Sequence, residues 1–218
     1  MALRDVLRLW RKATPAAPQA RWVVLDVESS GLDPSRDRLL AIAAIAVQIQ
    51  PRRAVIDLAD SFEVVLLQPQ TDAAVDRENI LLHGIGVGAQ RAGIERRHAL
   101  QGFATFVGDA PLIAFHAAFD RAMIEGAFAI EALAAPANPW LDLEPLAAVL
   151  QPKIKARSLD EWMLALGIRC LARHQAAADT LATAELLLKL WPALRAEIDP
   201  ADFKAVTQLA SLRRWLPP

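Results

Sequence analysis

The chain has 218 residues and a mass of 23.8 kDa, the size of one domain with some decoration. Hydrophobic residues make up 54% and charged residues 22%, which supports a large core and excludes global disorder. Lys and Arg total 24 against 25 Asp and Glu, for a net charge of −1; a protein that grips long duplex DNA mainly by neutralising phosphates is usually far more basic. A nucleic-acid partner of such a chain has to be short, single-stranded or held through metals.

A single cysteine, Cys170, excludes an internal disulfide framework and any multi-cysteine zinc site, and fits a reducing compartment. The opening MALRDVLRLWRK is broken by charges and lacks a signal-peptide core. The longest clean apolar run, Leu39 to Val47, is far short of the roughly 20 residues that cross a bilayer. A cytoplasmic protein without membrane contact is expected.

In chain order, residues 1–12 read as a short amphipathic helix with Leu3, Val6, Leu7 and Trp10 on one stripe, followed by a Pro-rich linker, so that residues 1–20 form an arm. Arg21 to Glu28 reads as a central strand, apolar on both faces until its end. Ser29 to Pro34 is a turn, Leu39 to Ile49 a second strand, Pro51-Arg52-Arg53 a reversal, and Ser61 to Leu67 a third strand; short connections suggest an antiparallel meander. A glycine-rich stretch follows. Then come a helix from Arg97 to Val107, a short strand from Pro111 to His116 and a helix from Ala118 to Ile130. A last strand at Trp140 to Leu143 leads into a helix ending at Leu150. Leu159 to Leu166, Ala176 to Trp191 and Asp202 to Trp215 read as further helices. The fold class is α/β, with a mixed sheet flanked by helices.

The chemistry sits in the carboxylates. Residues i and i+2 of a strand share a face, so Asp26 and Glu28 lie side by side at the end of a buried strand. Such a pair is costly to desolvate unless a cation neutralises it, and hard divalent ions favour oxygen ligands. The plain alternative is a strand end running into solvent. Asp120 opens the helix after the fourth strand, where an acid also complements the helix dipole. His174 and Asp179, five positions apart, would not share one face of a regular helix. They can converge if His174 lies in the loop before the helix and Asp179 within it, and Ala176 to Ala178 would keep that first turn thin.

With these motifs assembled, the sequence resembles the DEDDh 3′–5′ exonuclease family, the group that includes the proofreading subunit of bacterial DNA polymerase III, RNase T and oligoribonuclease. Asp26-Val27-Glu28-Ser29-Ser30-Gly31-Leu32 corresponds to its first motif, Phe115 through Asp120 to its second and His174 through Asp179 to its third, with His83-Gly84-Ile85 as a weaker feature. Two serines replace the usual threonines, and Phe115-His116 replaces the usual His-Asn. The sister subgroup uses tyrosine where this one uses histidine, and the chain contains no tyrosine.

The resemblance implies an RNase H-like fold with a five-stranded mixed sheet over residues 21–192, followed by a helical extension over 193–218. It implies two divalent cations, Mg²⁺ or Mn²⁺, with Asp26, Glu28 and Asp179 on the first, Asp26 bridging and Asp120 supporting the second. His174 is the implied base, an imidazole ordinarily titrating near neutrality. Ser29, Ser30, Gly31, Leu32 and His116 are the implied substrate contacts. The implied substrate is the 3′ end of single-stranded DNA or RNA, cleaved to nucleoside 5′-monophosphates, with a polymerase or nucleotidyltransferase as a possible partner. Arg36, Arg38, Arg52, Arg53, Arg91, Arg96 and Arg97 offer either a strand path or an ordinary solvated surface. Asp142 and Glu144, a second D-x-E, read as structural. Two alternatives stay open: a non-catalytic module of the same fold docking a polymerase or nucleotidyltransferase, and a phosphohydrolase of small nucleotides.

Overall fold

The computed structural model describes residues 20–50, 52–68, 80–81, 83–170 and 172–215. The expected arm over residues 1–20 lies outside the described residues except for its last one. Three antiparallel strands open the fold: β1 (Ala20–Ser29), β2 (Leu39–Gln50) and β3 (Arg53–Val65). Strands β4 (Leu112–Ala114) and β5 (Trp140–Asp142) then add in parallel on the other side of β1, giving the sheet order β3-β2-β1-β4-β5. This is the mixed five-stranded sheet of an RNase H-like fold. No helix among the described residues is long and apolar enough to cross a membrane.

Helices α1 (Val87–Arg91), α2 (Arg96–Val107), α3 (Ala117–Ile130), α4 (Leu143–Leu150), α5 (Leu159–Leu166), α6 (Ala176–Glu197) and α7 (Phe203–Ser211) follow, and a 3₁₀ turn closes the described chain at Leu212–Trp215. Strand β1 is buried on both faces because each face feeds a different core. Val23, Leu25 and Val27 pack with Leu100 and Phe103 of α2 and Met123, Ile124 and Phe128 of α3. Trp22 and Val24 pack on the opposite face with α4, α5 and α6, including Leu187, Leu190 and Trp191.

The third strand is longer than its apolar pattern indicates. It begins at Arg53, where the hairpin pairs Gln50 with Arg53. Its first half carries polar and half-exposed side chains at the sheet edge, so alternation is weak there. The register shift opposite Ile45/Ala46 takes up Leu58, Ala59 and Asp60. Helix α6 also runs past Trp191 to Glu197 with Pro192 inside it. Proline removes one helical donor, yet Leu194 beyond it is fully buried and holds the last turn down. Phe203 of α7 then meets Trp22 edge-on at 5.2 Å, and Trp191 meets the same ring at 5.7 Å. The segment after 192 therefore shares the core beneath β1.

Two small residues position the site. In the β1/β2 register Asp26 faces Ala43 and Glu28 faces Ala41. With only methyl groups on β2 at these points, the start of α6 approaches the sheet closely. The Thr180 hydroxyl donates to the Ala43 carbonyl at 3.2 Å and fixes the approach.

Candidate active site

Strand β1 carries Asp26 and Glu28 outward at its C-terminal end, on the same face as the buried Trp22 and Val24. The pairing of β1 with β4 covers Val23 and Val24, and β4 ends at Ala114. One Val27 N–H beyond this short ladder is taken by a side chain: it donates to Asp120 Oδ1 at 3.1 Å. Asp120, in the first turn of α3 and only 4% exposed, is thereby locked to β1. Asp179 arrives from the other face, in the first turn of α6 and 6% exposed. Three elements thus deliver four carboxylates to one end of one strand.

The electrostatics record the crowding. Burial pushes the Asp26 carboxyl well above the usual carboxylate range, and the charges of Asp120, Glu28 and Asp179 push it further, while Arg173 opposes them. Glu28 is raised to about 7, by burial first and then by Asp179. Asp120 is raised to about 8, chiefly by burial, against the hydrogen bonds it accepts from its own backbone N–H and that of Val27; Asp142 and Glu28 raise it further. Carboxylates that resist ionisation in this way are a signature of a functional site.

His174 lies in the loop before α6, at φ 61°, and its N–H donates to Asp179 Oδ2 at 3.1 Å. His174 thus stands in the loop and Asp179 in the helix, and the contact between them comes from the His174 backbone. The imidazole is exposed and lies in the field of Asp160. His116 occupies the equivalent place before α3, also at φ 61° and exposed. Its N–H donates to Asp142 Oδ1 at 2.9 Å. Non-glycine residues in the left-handed region are uncommon, and they concentrate where function tolerates strain.

The loop after β1 is held by Asp37. Its carboxylate accepts from the Ser30 hydroxyl at 3.0 Å and the Asp33 N–H at 2.9 Å. A Cβ on Gly31 would lie 2.4 Å from Asp37 Oδ2, so any larger residue there would displace the carboxylate that holds the loop. Ser29 is buried and its hydroxyl donates to the Gly31 carbonyl. Both serine hydroxyls thus shape the loop from within, while Leu32 projects from it 89% exposed.

The residue that sequence reasoning passed over is Arg173. Its Nε and Nη2 donate to Asp160 at 2.6 and 3.3 Å, and its Nη1 pairs with Asp179 Oδ1. Burial disfavours this charge, but the two carboxylates outweigh it and hold the guanidinium ionised. Its position directly before His174 was the available signal. Cys170 Sγ also approaches Asp179 Oδ1, at 3.8 Å. Of the surface arginines, Arg36 pairs with Asp33, Arg53 with Gln50, and Arg96 and Arg97 with Glu131. Asp142 caps α4 by accepting from the Glu144 N–H at 3.2 Å, and Glu144 faces Arg213 at 4.0 Å.

The donor set of Asp26, Glu28, Asp120 and Asp179 suits a hard divalent cation: all oxygen, excess negative charge, and partial desolvation. Among the described residues no three Asp, Glu, His or Cys side chains already close on a common point. Arg173 engages Asp179. The fit to a cation is one of chemistry and of shared field.

Known proteins resemble this chain. A family model described as the exonuclease RNase_T matches residues 23–187. A DNA polymerase III PolC-type protein of Halalkalibacterium halodurans is 28% identical over 171 residues, which cover 78% of this chain and 11% of that protein. A DNA polymerase III subunit epsilon-like protein of Rhodobacter capsulatus is 32% identical over 180 residues, 80% of this chain and 24% of that one. Among solved structures, E. coli exonuclease I in complex with single-stranded DNA superposes with a TM-score of 0.68 at 19% identity, covering 85% of this chain and 43% of that chain. The same enzyme bound to a dT13 oligonucleotide gives 0.65 at 20%, covering 82% and 43%. The chain thus spans less than half the length of each of these proteins.

Proposed function

The chain belongs to the RNase T exonuclease family, and from that premise we propose that it is a 3′–5′ exonuclease that removes nucleoside 5′-monophosphates from the 3′ ends of single-stranded DNA or RNA. The observation that carries the reading is the Asp26 carboxyl, raised by burial and by three other carboxylates converging from α3, β1 and α6. A folding role does not call for such a cluster. Like charges at a partly buried point weaken the fold.

Asp26, Glu28 and Asp179 would hold one divalent cation, Mg²⁺ or Mn²⁺, and Asp26 with Asp120 a second. Bound there, the cations would supply positive charge to the attacking and leaving oxygens and lower the pKa of a bound water. Asp120 also orients β1 through the Val27 N–H. His174 accepts the proton of the attacking water at a ring nitrogen. The bond from its backbone N–H to Asp179 keeps His174 on the turn beside that ligand. Leu32, exposed on the loop that Ser30 and Asp37 tie together, packs against the terminal base, with the Gly31 backbone beside the sugar and His116 at the far rim. The near-neutral net charge accords with a site that meets one strand end rather than a long duplex. The polymerase III names of the relatives favour a polymerase as partner, with the cytoplasm as the place of action.

The test is digestion of 5′-labelled single-stranded DNA and matched RNA with Mn²⁺ or Mg²⁺, against EDTA. A ladder shortening from the 3′ end, with mononucleotide release, is the expected result. Cleavage of mononucleotide esters alone would replace the proposal with a small-nucleotide phosphohydrolase, and metal-independent cleavage would remove the role given to the acids.

A further inference from the structure

The Arg173 guanidinium works with both edges. One edge, Nε and Nη2, lies on the carboxylate of Asp160 at the start of α5. The remaining nitrogen, Nη1, lies on Asp179 Oδ1. The two carboxylates differ in exposure: the Asp160 side chain is 58% exposed and that of Asp179 is 9% exposed. Asp160 lies in the first turn of α5, whose start is fixed by a reciprocal capping box between Ser158 and Glu161. The guanidinium therefore bridges a solvent-side carboxylate and a buried one, and its charge also reaches Asp26 and Glu28.

We propose that Arg173 is a built-in counter-cation that competes with a divalent ion for Asp179, and that Asp160 tunes the competition by drawing the guanidinium outward. The proposal rests on the reading of Asp179 as an ion ligand. A cation arriving at Asp179 meets a positive charge already on Oδ1, and like charges a few ångströms apart repel appreciably even at a high effective dielectric. Without the ion, the same guanidinium offsets part of the repulsion among the four acids. Two opposite effects are thus combined in one side chain: Arg173 stabilises the ion-free protein and weakens its hold on the ion. An ordinary structural ion pair would act in one direction only, since its loss would lower both stability and affinity.

Isothermal titration of the EDTA-treated full chain with Mn²⁺ alone, with no nucleic acid, reads the affinity; thermal unfolding in EDTA reads the stability. Arg173→Gln is expected to bind Mn²⁺ about tenfold more tightly while unfolding at a lower temperature. Arg173→Lys, which keeps the charge, is expected to stay close to the wild-type affinity. Asp160→Asn is expected to weaken Mn²⁺ binding several-fold in the wild type and to have little effect beside Arg173→Gln, because its influence passes through the guanidinium. Unchanged or weaker binding by Arg173→Gln overturns the proposal. Should that variant not fold, Asp160→Asn decides alone, and unchanged or tighter binding overturns it. Asp26→Ala separates the two readings. If it abolishes Mn²⁺ binding, a failure at Arg173 leaves the exonuclease assignment standing; if the wild type binds no Mn²⁺, or Asp26→Ala binds as well as wild type, both readings fall.

Discussion

Replacing Glu28 by Gln should stabilise the protein in EDTA, and the gain should grow with pH. Glu28 sits on β1 with its carboxyl raised from 4.5 to about 7 by burial and by the charge of Asp179. The folded state then holds a proton that the unfolded chain has already released. Stability is full below about 4.5, declines as pH rises through the interval to about 7, and is flat above it. At about 1.4 kcal/mol per pH unit this interval corresponds to a ceiling of about 3 kcal/mol. The side chain is only partly buried, so solvent screening reduces the figure to about 1–2 kcal/mol. Glutamine keeps the shape and carries no charge, so the gap between variant and wild type opens over the same interval. For a chain of this size the gain is about 3–6 °C in Tm at pH 8. Scanning calorimetry in EDTA at pH 4.5, 6 and 8 would follow it. A variant no more stable than wild type at pH 8, or a difference equal at pH 4.5 and pH 8, would refute the reasoning, since a packing effect does not titrate. Saturating Mn²⁺ should reverse the order, because the wild-type carboxylate then has a cation to face.

Asp26→Ala should abolish exonuclease activity while far-ultraviolet circular dichroism stays native; near-full turnover would remove the central role of the β1 acid. His174→Ala should slow turnover about 10²–10⁴-fold, the usual contribution of a positioned base, and an unchanged rate would mean that another group takes the proton. Asp120→Ala should destabilise the protein by about 1–3 kcal/mol in urea titrations, because the buried Val27 N–H loses its acceptor. Asp120→Asn keeps an acceptor there and should be far milder in stability, though as inactive as Ala in the digestion assay.

Much of the site was legible in the linear order of residues. A strand places i and i+2 on one face whatever surrounds it, so Asp26 and Glu28 were bound to emerge together once β1 formed. The helix-opening positions of Asp120 and Asp179 follow equally from local rules, and so do the central strands, whose continuous apolar runs need burial on both faces. The start of β3 at Arg53 was not legible, because an edge strand with one solvated side carries little apolar alternation. Nor was the run of α6 through Pro192, which depends on Leu194 finding a buried place beyond the break.

The tertiary structure alone decided which groups meet across long separations. Nothing near Val27 in the chain announces that its N–H ends on Asp120, or that Thr180 clamps α6 to Ala43 opposite Asp26. The hydroxyls of Ser29 and Ser30, residues implied as substrate contacts, bond within their own loop to Gly31 and Asp37. The imidazole of His174 was expected among the acids, yet its backbone N–H makes that contact. Arg173 instead reaches Asp179 while held by Asp160 from a separate helix. Local rules fix the direction in which a residue points from its own strand or helix. Which charges share a field depends on how those elements pack, and at this site that packing sets the balance between four carboxylates and one guanidinium.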